Sequence, residues 1–214
     1  MGGVLRFDGG CRLRTTVAGW LGRRTDDGIR RRTTKDLGAC ARLLRIVSYQ
    51  DRYPYHWPDA PRAWLSDGDV IDAWVAEHLG QLLGHVAISR VGTGGVSEAR
   101  WREITARDPS ELAAVSRLFV RPRNRGAGIG AALLKTATDE IRGRGLTPVL
   151  EVVSINEAAI NLYVGQGWRL LAMDPWGPNA ERLRVFCYAG PKEPAPVEST
   201  RQVVELEAGR RAAR

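Results

Sequence analysis

A glycine-rich loop, GAGIG at residues 126–130, is the feature that most constrains how this chain folds. The apolar run before it, at 115–120, predicts a buried strand that Pro122 brings to an end. The run after it predicts a helix over 129–142, because apolar side chains recur on one face: Ile129, Leu133, Leu134, Ala137 and Ile141. A helix N-terminus behind a loop with few Cβ atoms exposes free N–H groups and the positive end of the helix dipole. The loop therefore predicts a site for a phosphate-bearing ligand.

The approach to this loop is basic, since Arg121, Arg123 and Arg125 precede it and are expected to add positive charge at its rim. The letters GAGIGA fit a dinucleotide-binding pattern, but that motif begins at the end of its strand, whereas RPRNR intervenes here. The Lys-Ser or Lys-Thr pair of a P-loop does not follow. A tight turn alone would not require three glycines. The pattern R-x-x-G-x-G, formed by Arg125, Gly128 and Gly130, fits better.

A second block, LEVVSINEAAINLYVGQGW at 150–168, predicts a buried strand followed by a helix. Together the two blocks resemble the GNAT superfamily of acyl-CoA-dependent N-acetyltransferases, in which this loop cradles the pyrophosphate of coenzyme A. The second block is also similar to that of bacterial N-acetyltransferases acting on ribosomal-protein N-termini. The resemblance implies an α/β fold of the α+β type, with a splayed, largely antiparallel central sheet of about six or seven strands flanked by about four helices.

The resemblance spans residues 29–190, which are expected to form one domain. Residues 1–28 are predicted to be a poorly ordered basic extension, and 191–214 a disordered or loosely helical tail. Within the domain, Thr34 is expected to cap a helix with one apolar face. A proline- and aromatic-rich loop is expected at 48–65.

The resemblance also implies which residues contact acetyl-CoA as the cosubstrate. The loop would hold the pyrophosphate, the strand before it would pair with the pantetheine amides, and Asn156 would contact the pantetheine arm. A plain helix cap is the alternative role of Asn156. No metal is expected. The expected cofactor contacts are Leu118, Phe119, Val120, Arg125, Gly126, Ala127, Gly128, Ile129, Gly130 and Asn156.

Direct attack of an amine on a thioester requires a base for the ammonium and an acid for the departing thiolate, but no protein nucleophile. The resemblance implies that Tyr163, two helical turns after Asn156, protonates the sulfur; a core aromatic is the alternative. Glu151 is the candidate base, because burial within an apolar strand raises a carboxyl pKa. A salt bridge to Arg117 is the alternative role of Glu151, and His85 or a water relay are the alternative bases.

The acceptor end is expected at 51–65 within the proline- and aromatic-rich loop, which lies where family members place the acceptor-binding segment. Tyr53, Tyr55, His56 and Trp57 would wall an amine pocket, since aromatic faces favour a cation. The alternative is a hydrophobic lid packed on the core. The acceptor is expected to be a small-molecule or peptide amine.

The formal charge of +8 favours an anionic partner, but much of the excess is peripheral: residues 1–32 hold eight arginines against three aspartates. We expect no nucleic-acid partner, because no regular element interleaves basic and aromatic residues. Three distant cysteines predict unpaired thiols in a reducing compartment. No apolar run reaches the roughly 18 residues of a membrane span. The chain is therefore expected to be a cytoplasmic monomer or homodimer without a membrane partner.

These observations favour an enzyme that moves the acetyl group of acetyl-CoA to a primary amine by direct attack in a ternary complex. Two alternatives remain open. One is transfer of another short acyl group, such as propionyl or succinyl. The other is a CoA-binding sensor or interaction module with little catalysis.

Overall fold

The computed structural model describes residues 28–177 and 182–191, in which seven strands and five helices follow one another along the chain. The strands are β1 (Gly28–Arg31), β2 (Val70–His78), β3 (Gln81–Ser89), β4 (Leu112–Val120), β5 (Thr147–Val153), β6 (Arg169–Pro175) and β7 (Arg184–Ala189). The helices are α1 (Leu37–Asp51), α2 (Pro61–Trp64), α3 (Glu98–Thr105), α4 (Ile129–Gly143) and α5 (Glu157–Gly165). The predicted extension and tail lie outside the described residues, except that Gly28 begins β1 and Pro191 is described.

The seven strands form one sheet in the order β1-β2-β3-β4-β5-β7-β6, and only the β4–β5 pair is parallel. These two strands pair over three residues each, Leu112–Ala114 with Thr147–Val149. Further along, β4 stays paired with β3 as far as Val120, while β5 stays paired with β7. The two strands therefore diverge toward their carboxyl ends and leave a V-shaped opening. The predicted splayed, largely antiparallel sheet is confirmed.

Helices cover both faces of this sheet, because successive side chains of β2 pack against different helices. Trp74 and Ala76 pack in the same cluster as α4, whereas Val75, between them, packs with α1. A third cluster surrounds Trp101 of α3. Each fully buried Leu or Ile contributes about 1.5–3 kcal/mol. The buried face of α4 matches the predicted one: Ile129, Leu133, Leu134, Ala137, Thr138 and Ile141.

The start of α1 differs from the predicted one. A single 3-10 turn, Thr34–Asp36, precedes the helix; Thr33 rather than Thr34 caps this turn, and Asp36 is the N-cap of α1 itself. The Thr33 N–H and hydroxyl both donate to the Asp36 carboxylate, at 2.7 and 2.9 Å. Arg30 also pairs with Asp36 at 2.8 Å, and hydrogen bonding to this guanidinium lowers the pKa of the Asp36 carboxyl. The carboxylate thus ties β1 to the start of α1.

The loop predicted at 48–65 is partly helical. α1 continues to Asp51, and Pro61 begins the one-turn helix α2, because its fixed φ suits the first turn of a helix. The longest described helices, α1 and α4, have 15 residues each. Within the described ranges, no helix is long and apolar enough to cross a membrane.

Candidate active site between strands β4 and β5

The opening between β4 and β5 leads into a cleft of about 910 Å³ with two chemically different ends. The glycine loop and the starts of α4 and α5 line one end. Tyr55 and His56, the β3–α3 loop and Trp176 also line the cleft and contact one another; we call this group the acceptor end. Tyr163 and Glu151 both line this cleft. The predicted acid and base therefore share one cavity with the predicted phosphate loop.

The glycine loop presents an uncapped helix start to the cleft. Gly126 and Gly128 have φ angles of 78° and 83°, a left-handed conformation that costs other L-residues energy. Gly128 is the N-cap of α4, so no side chain at that position caps the first helical N–H groups. Those of Ile129 and Gly130 have no intrahelical acceptor and are available to an anion. Gly130 is also needed for packing, since a Cβ there would lie 3.3 Å from Leu162 of α5.

The three arginines before the loop do not all face the ligand side. Arg121 donates to the Leu82 carbonyl at 3.1 Å, and Arg123 to the Gln81 side chain at 3.1 Å, so both bind the start of β3. Both bind neutral acceptors, and neither is among the described residues that line the cleft. Arg125 lines the cleft and forms a bidentate ion pair with Asp51, the last residue of α1. Arg125 is the one of the three that faces the cleft.

The β5-facing edge of β4 lies free along the cleft, because pairing with β5 ends at Ala114. Asn156, the N-cap of α5, also lines the cleft, and its side chain makes no capping hydrogen bond. The absence of this hydrogen bond disfavours the plain helix cap as the role of Asn156. Ala127 packs against the hydrophobic core instead and is not among the described residues that line the cleft. The cleft-lining residues of the free edge include Leu118, Phe119 and Val120.

Tyr163 belongs to both the core and the cleft. Its side chain is 7% exposed, and its ring packs against Trp168 and Tyr188 with centroid distances of 6.1 and 6.2 Å. Burial, with a smaller effect from the neighbouring Tyr53 and Tyr188, raises the pKa of Tyr163. The hydroxyl therefore stays protonated at neutral pH, as a proton donor to the cleft must.

The Glu151 carboxylate holds the β3–α3 loop. Oε1 accepts the Gly95 N–H at 2.6 Å, and Oε2 accepts the Val96 N–H at 3.0 Å. The alternative role in a salt bridge to Arg117 is wrong, because Arg117 pairs with Asp67 at 2.5 Å. Burial raises the pKa of Glu151, while the two amide hydrogen bonds oppose that rise. A raised pKa is what a general base near neutral pH needs.

A β-bulge marks the place where β4 leaves β5, and His85 fills it. β4 has one residue more than β3 between two paired positions, and Arg117 in the bulge has a φ of 50°. His85 Nδ1 lies 2.9 Å from the Arg117 carbonyl, and Nε2 lies 3.0 Å from an Arg32 nitrogen. Because arginine only donates, Nε2 accepts and Nδ1 carries the proton. Burial lowers the pKa of His85 to about 3, and both nitrogens are engaged, so His85 is poorly suited to act as the base.

The predicted acceptor residues divide between the cleft and the surface. Tyr53 lines the cleft and also packs against Phe119, at a centroid distance of 6.5 Å. Tyr55 and His56 line the cleft as well. Trp57 is not among the described cleft-lining residues, because its ring lies under the Arg45 guanidinium at 5.6 Å. Three of the four predicted residues thus line the cleft.

Trp176, which the sequence reading missed, completes the acceptor end. It directly follows β6, lines the cleft and lies 4.9 Å from the Tyr55 ring and 6.2 Å from the His56 ring, between centroids. An isolated tryptophan after a strand carries no local pattern, and its partners lie far earlier in the chain. Only the sheet topology, which places the end of β6 opposite the segment after α1, brings them together.

Two cysteines are described, and neither has the properties of a nucleophile. Cys40 and Cys187 are buried free thiols, and burial raises the pKa of each to about 12. A reactive cysteine needs a lowered pKa instead. Cys11 lies outside the described residues. In the described part of the chain, no three His, Cys, Asp or Glu side chains are grouped as a metal site would require.

Comparisons with known proteins point in one direction. A model of the Acetyltransferase (GNAT) family matches residues 40–168. The fold is similar to that of the ribosomal-protein-S18-alanine N-acetyltransferase of Escherichia coli, at 21% identity and a TM-score of 0.58 over 81% of this chain and 98% of that one. It is also similar to the yncA protein of Salmonella typhimurium, solved with its cofactor acetyl-CoA, at 20% identity and a TM-score of 0.56 over 82% and 100%. A search of curated protein sequences found no match.

Proposed function

The chain belongs to the GNAT acetyltransferase family, and on that premise we propose that it transfers the acetyl group of acetyl-CoA to a primary amine by direct attack in a ternary complex. One observation carries the proposal. An uncapped helix start, a buried tyrosine hydroxyl and a carboxylate with a raised pKa line a single cleft between two diverging strands.

The residues of the cleft suit acetyl-CoA at successive points along its length. The N–H groups at the start of α4 suit the pyrophosphate, and the free edge of β4 suits the amides of the pantetheine arm. Asn156, whose side chain is not used as a cap, would donate to or accept from the same arm. When bound, acetyl-CoA supplies an acyl group activated as a thioester.

Glu151 and Tyr163 would then manage the two protons of the reaction. Glu151 takes a proton from the acceptor ammonium, so that the nitrogen lone pair can attack the carbonyl carbon. The C–N bond forms, the C–S bond breaks, and Tyr163 donates to the departing thiolate. The same water-poor cleft that raises the pKa of Tyr163 also raises the proton affinity of the thiolate. No covalent acyl-protein species is needed, in keeping with the inert character of Cys40 and Cys187.

A kinetic experiment tests the proposal against its alternatives. Release of free thiol is followed with acetyl-, propionyl- and succinyl-CoA, each against a panel of primary amines. We expect acetyl-CoA to be preferred and initial-rate plots to intersect, as for a ternary complex. Parallel plots would indicate a covalent intermediate. Tight acetyl-CoA binding without turnover of any amine would identify a sensor instead.

The glycine loop provides a test of cofactor binding alone. Gly128→Asn is expected to weaken acetyl-CoA binding about tenfold, or about 1.4 kcal/mol, because a side chain then occupies the N-cap beside the phosphate-binding N–H groups. Asn is chosen since it tolerates the left-handed conformation at this position.

Gly145→Asn is the matched control for Gly128→Asn. Gly145 also has a positive φ, of 73°, but it follows α4 at the end remote from the loop, and a Cβ there would meet open space. Calorimetry should show wild-type affinity for this variant. If the two variants bind acetyl-CoA with equal affinity, the glycine loop is not part of the cofactor site.

A further inference from the structure

Three loops that are distant in sequence converge on one indole at the acceptor end of the cleft. Trp176 meets the Tyr55 ring edge-on at 4.9 Å and stacks with His56 at 6.2 Å, while Tyr55 and His56 touch each other at 4.8 Å. We call these three residues the aromatic bridge. Tyr55 belongs to the segment after α1, and Trp176 follows β6 at the edge of the sheet. The bridge therefore joins the two sides of the acceptor end.

The third loop packs between the bridge and the candidate base. A Cβ on Gly95 would lie 2.5 Å from Trp176 Nε1, and a Cβ on Gly94 would lie 1.7 Å from Glu151 Oε1. A side chain at either position would therefore displace Trp176 or the Glu151 carboxylate. Trp176 thus covers one side of the loop, and Glu151 holds it from the other side through the Gly95 and Val96 N–H groups.

We propose that the aromatic bridge selects the acceptor by shape, so that the acceptor is a primary ammonium at the free end of a slender, flexible chain. This inference rests on the proposed function. Because the rings of the bridge are in contact, an amine cannot reach Glu151 through the bridge and must enter end-on beside it. An amine on a bulky cage carries too much volume close to its nitrogen.

The chemistry of the walls agrees with a cationic chain end. The faces of Tyr55 and Trp176 attract an ammonium, and the Glu151 carboxylate lines the same cleft. A slender chain also leaves room for the cosubstrate at the other end of the cavity. The bridge thus supplies both the steric limit and a favourable path for positive charge.

Two primary amines of similar basicity and equal charge but different bulk test the proposal: 1-aminopentane and 1-aminoadamantane. For the wild type we expect kcat/KM to favour the slender amine at least tenfold. Trp176→Ala opens the bridge and should bring that ratio close to one, chiefly by raising kcat/KM for the bulky amine. Tyr55→Ala removes the opposite half of the bridge and should act in the same direction, so the test survives if one variant does not fold.

Tyr49→Ala is the control, since this side chain on α1 is 95% exposed and is not among the described residues of the cleft. Its ratio should equal that of the wild type. Equal kcat/KM values for both amines in the wild type, or an unchanged ratio in both bridge variants, would overturn the inference and leave the proposed function standing. Absence of turnover with every amine, despite acetyl-CoA binding, would overturn the proposed function and the inference with it.

Discussion

The Tyr163→Phe variant is expected to turn over about 100-fold more slowly than the wild type, with acetyl-CoA affinity within about twofold of it. The substitution removes only the hydroxyl, so the ring keeps its packing against Trp168 and Tyr188. The departing thiolate then lacks its proton donor. Because burial raises the pKa of Tyr163, the wild-type hydroxyl stays protonated across the neutral range. The loss should therefore be the same at every pH between about 6 and 8.

Tyr188→Phe is the matched control for this experiment. Tyr188 is buried beside Tyr163, burial raises its pKa as well, and it is not among the described residues of the cleft. Its variant should keep wild-type turnover, with any effect confined to stability. Equal turnover in the Tyr163→Phe variant and the wild type would show that Tyr163 is a core aromatic and not the proton donor.

Glu151→Gln is expected to lower turnover about 100-fold at neutral pH and to change the pH profile. A general base works only when deprotonated, and burial raises the pKa of Glu151 above its ordinary value. The wild-type rate should therefore rise with pH through that raised pKa, and the variant should lose this rising limb. An acceptor amine of low pKa, already neutral at the assay pH, should partly rescue Glu151→Gln but not Tyr163→Phe.

Glu151 also holds the β3–α3 loop, so Glu151→Gln removes the candidate base and loosens the loop at the same time. Gly94→Ala separates these two effects. The glutamine amide nitrogen cannot accept an N–H, so Glu151→Gln also loses one of the two hydrogen bonds to Gly95 and Val96. In Gly94→Ala the new methyl group displaces the carboxylate, which stays ionisable but is no longer held in place by the loop. Its turnover should fall while the rising pH limb remains. A pH-independent loss in Glu151→Gln would make Glu151 a positioning residue for the loop.

The sequence predicted the strand and the helix on either side of the glycine loop, and the strand–helix block after them, because their signals are local. The apolar face of α4, the strand before it and the block containing β5 and α5 can each be recognised within a short window. Splaying of the sheet followed from the resemblance to a family. By contrast, the predicted cap Thr34 lies within a 3-10 turn before α1, and it is Thr33 that caps this turn, through its contact with Asp36.

The site was predictable to the extent that its residues belong to contiguous motifs. The partners of those residues were not, because they depend on contacts across the sheet. Arg125 pairs with Asp51, Glu151 holds the amides of a distant loop, and Trp176 closes the acceptor end. None of these pairs is close in sequence. The sequence shows that a loop residue is charged or aromatic, but it does not show which distant residue that side chain contacts.

The Arg125–Asp51 ion pair connects the glycine loop to the end of α1, and so connects the two ends of the cleft. An anion that binds beside Arg125 competes with Asp51 for one guanidinium, and Asp51 is the residue at which α1 gives way to the segment carrying Tyr55. Thermodynamic linkage then imposes a symmetry: whatever factor cofactor binding applies to acceptor affinity, the acceptor must apply to cofactor affinity. In Asp51→Asn the Arg125 guanidinium no longer pairs with a carboxylate. The affinities for cofactor and for acceptor should then become more nearly independent of each other.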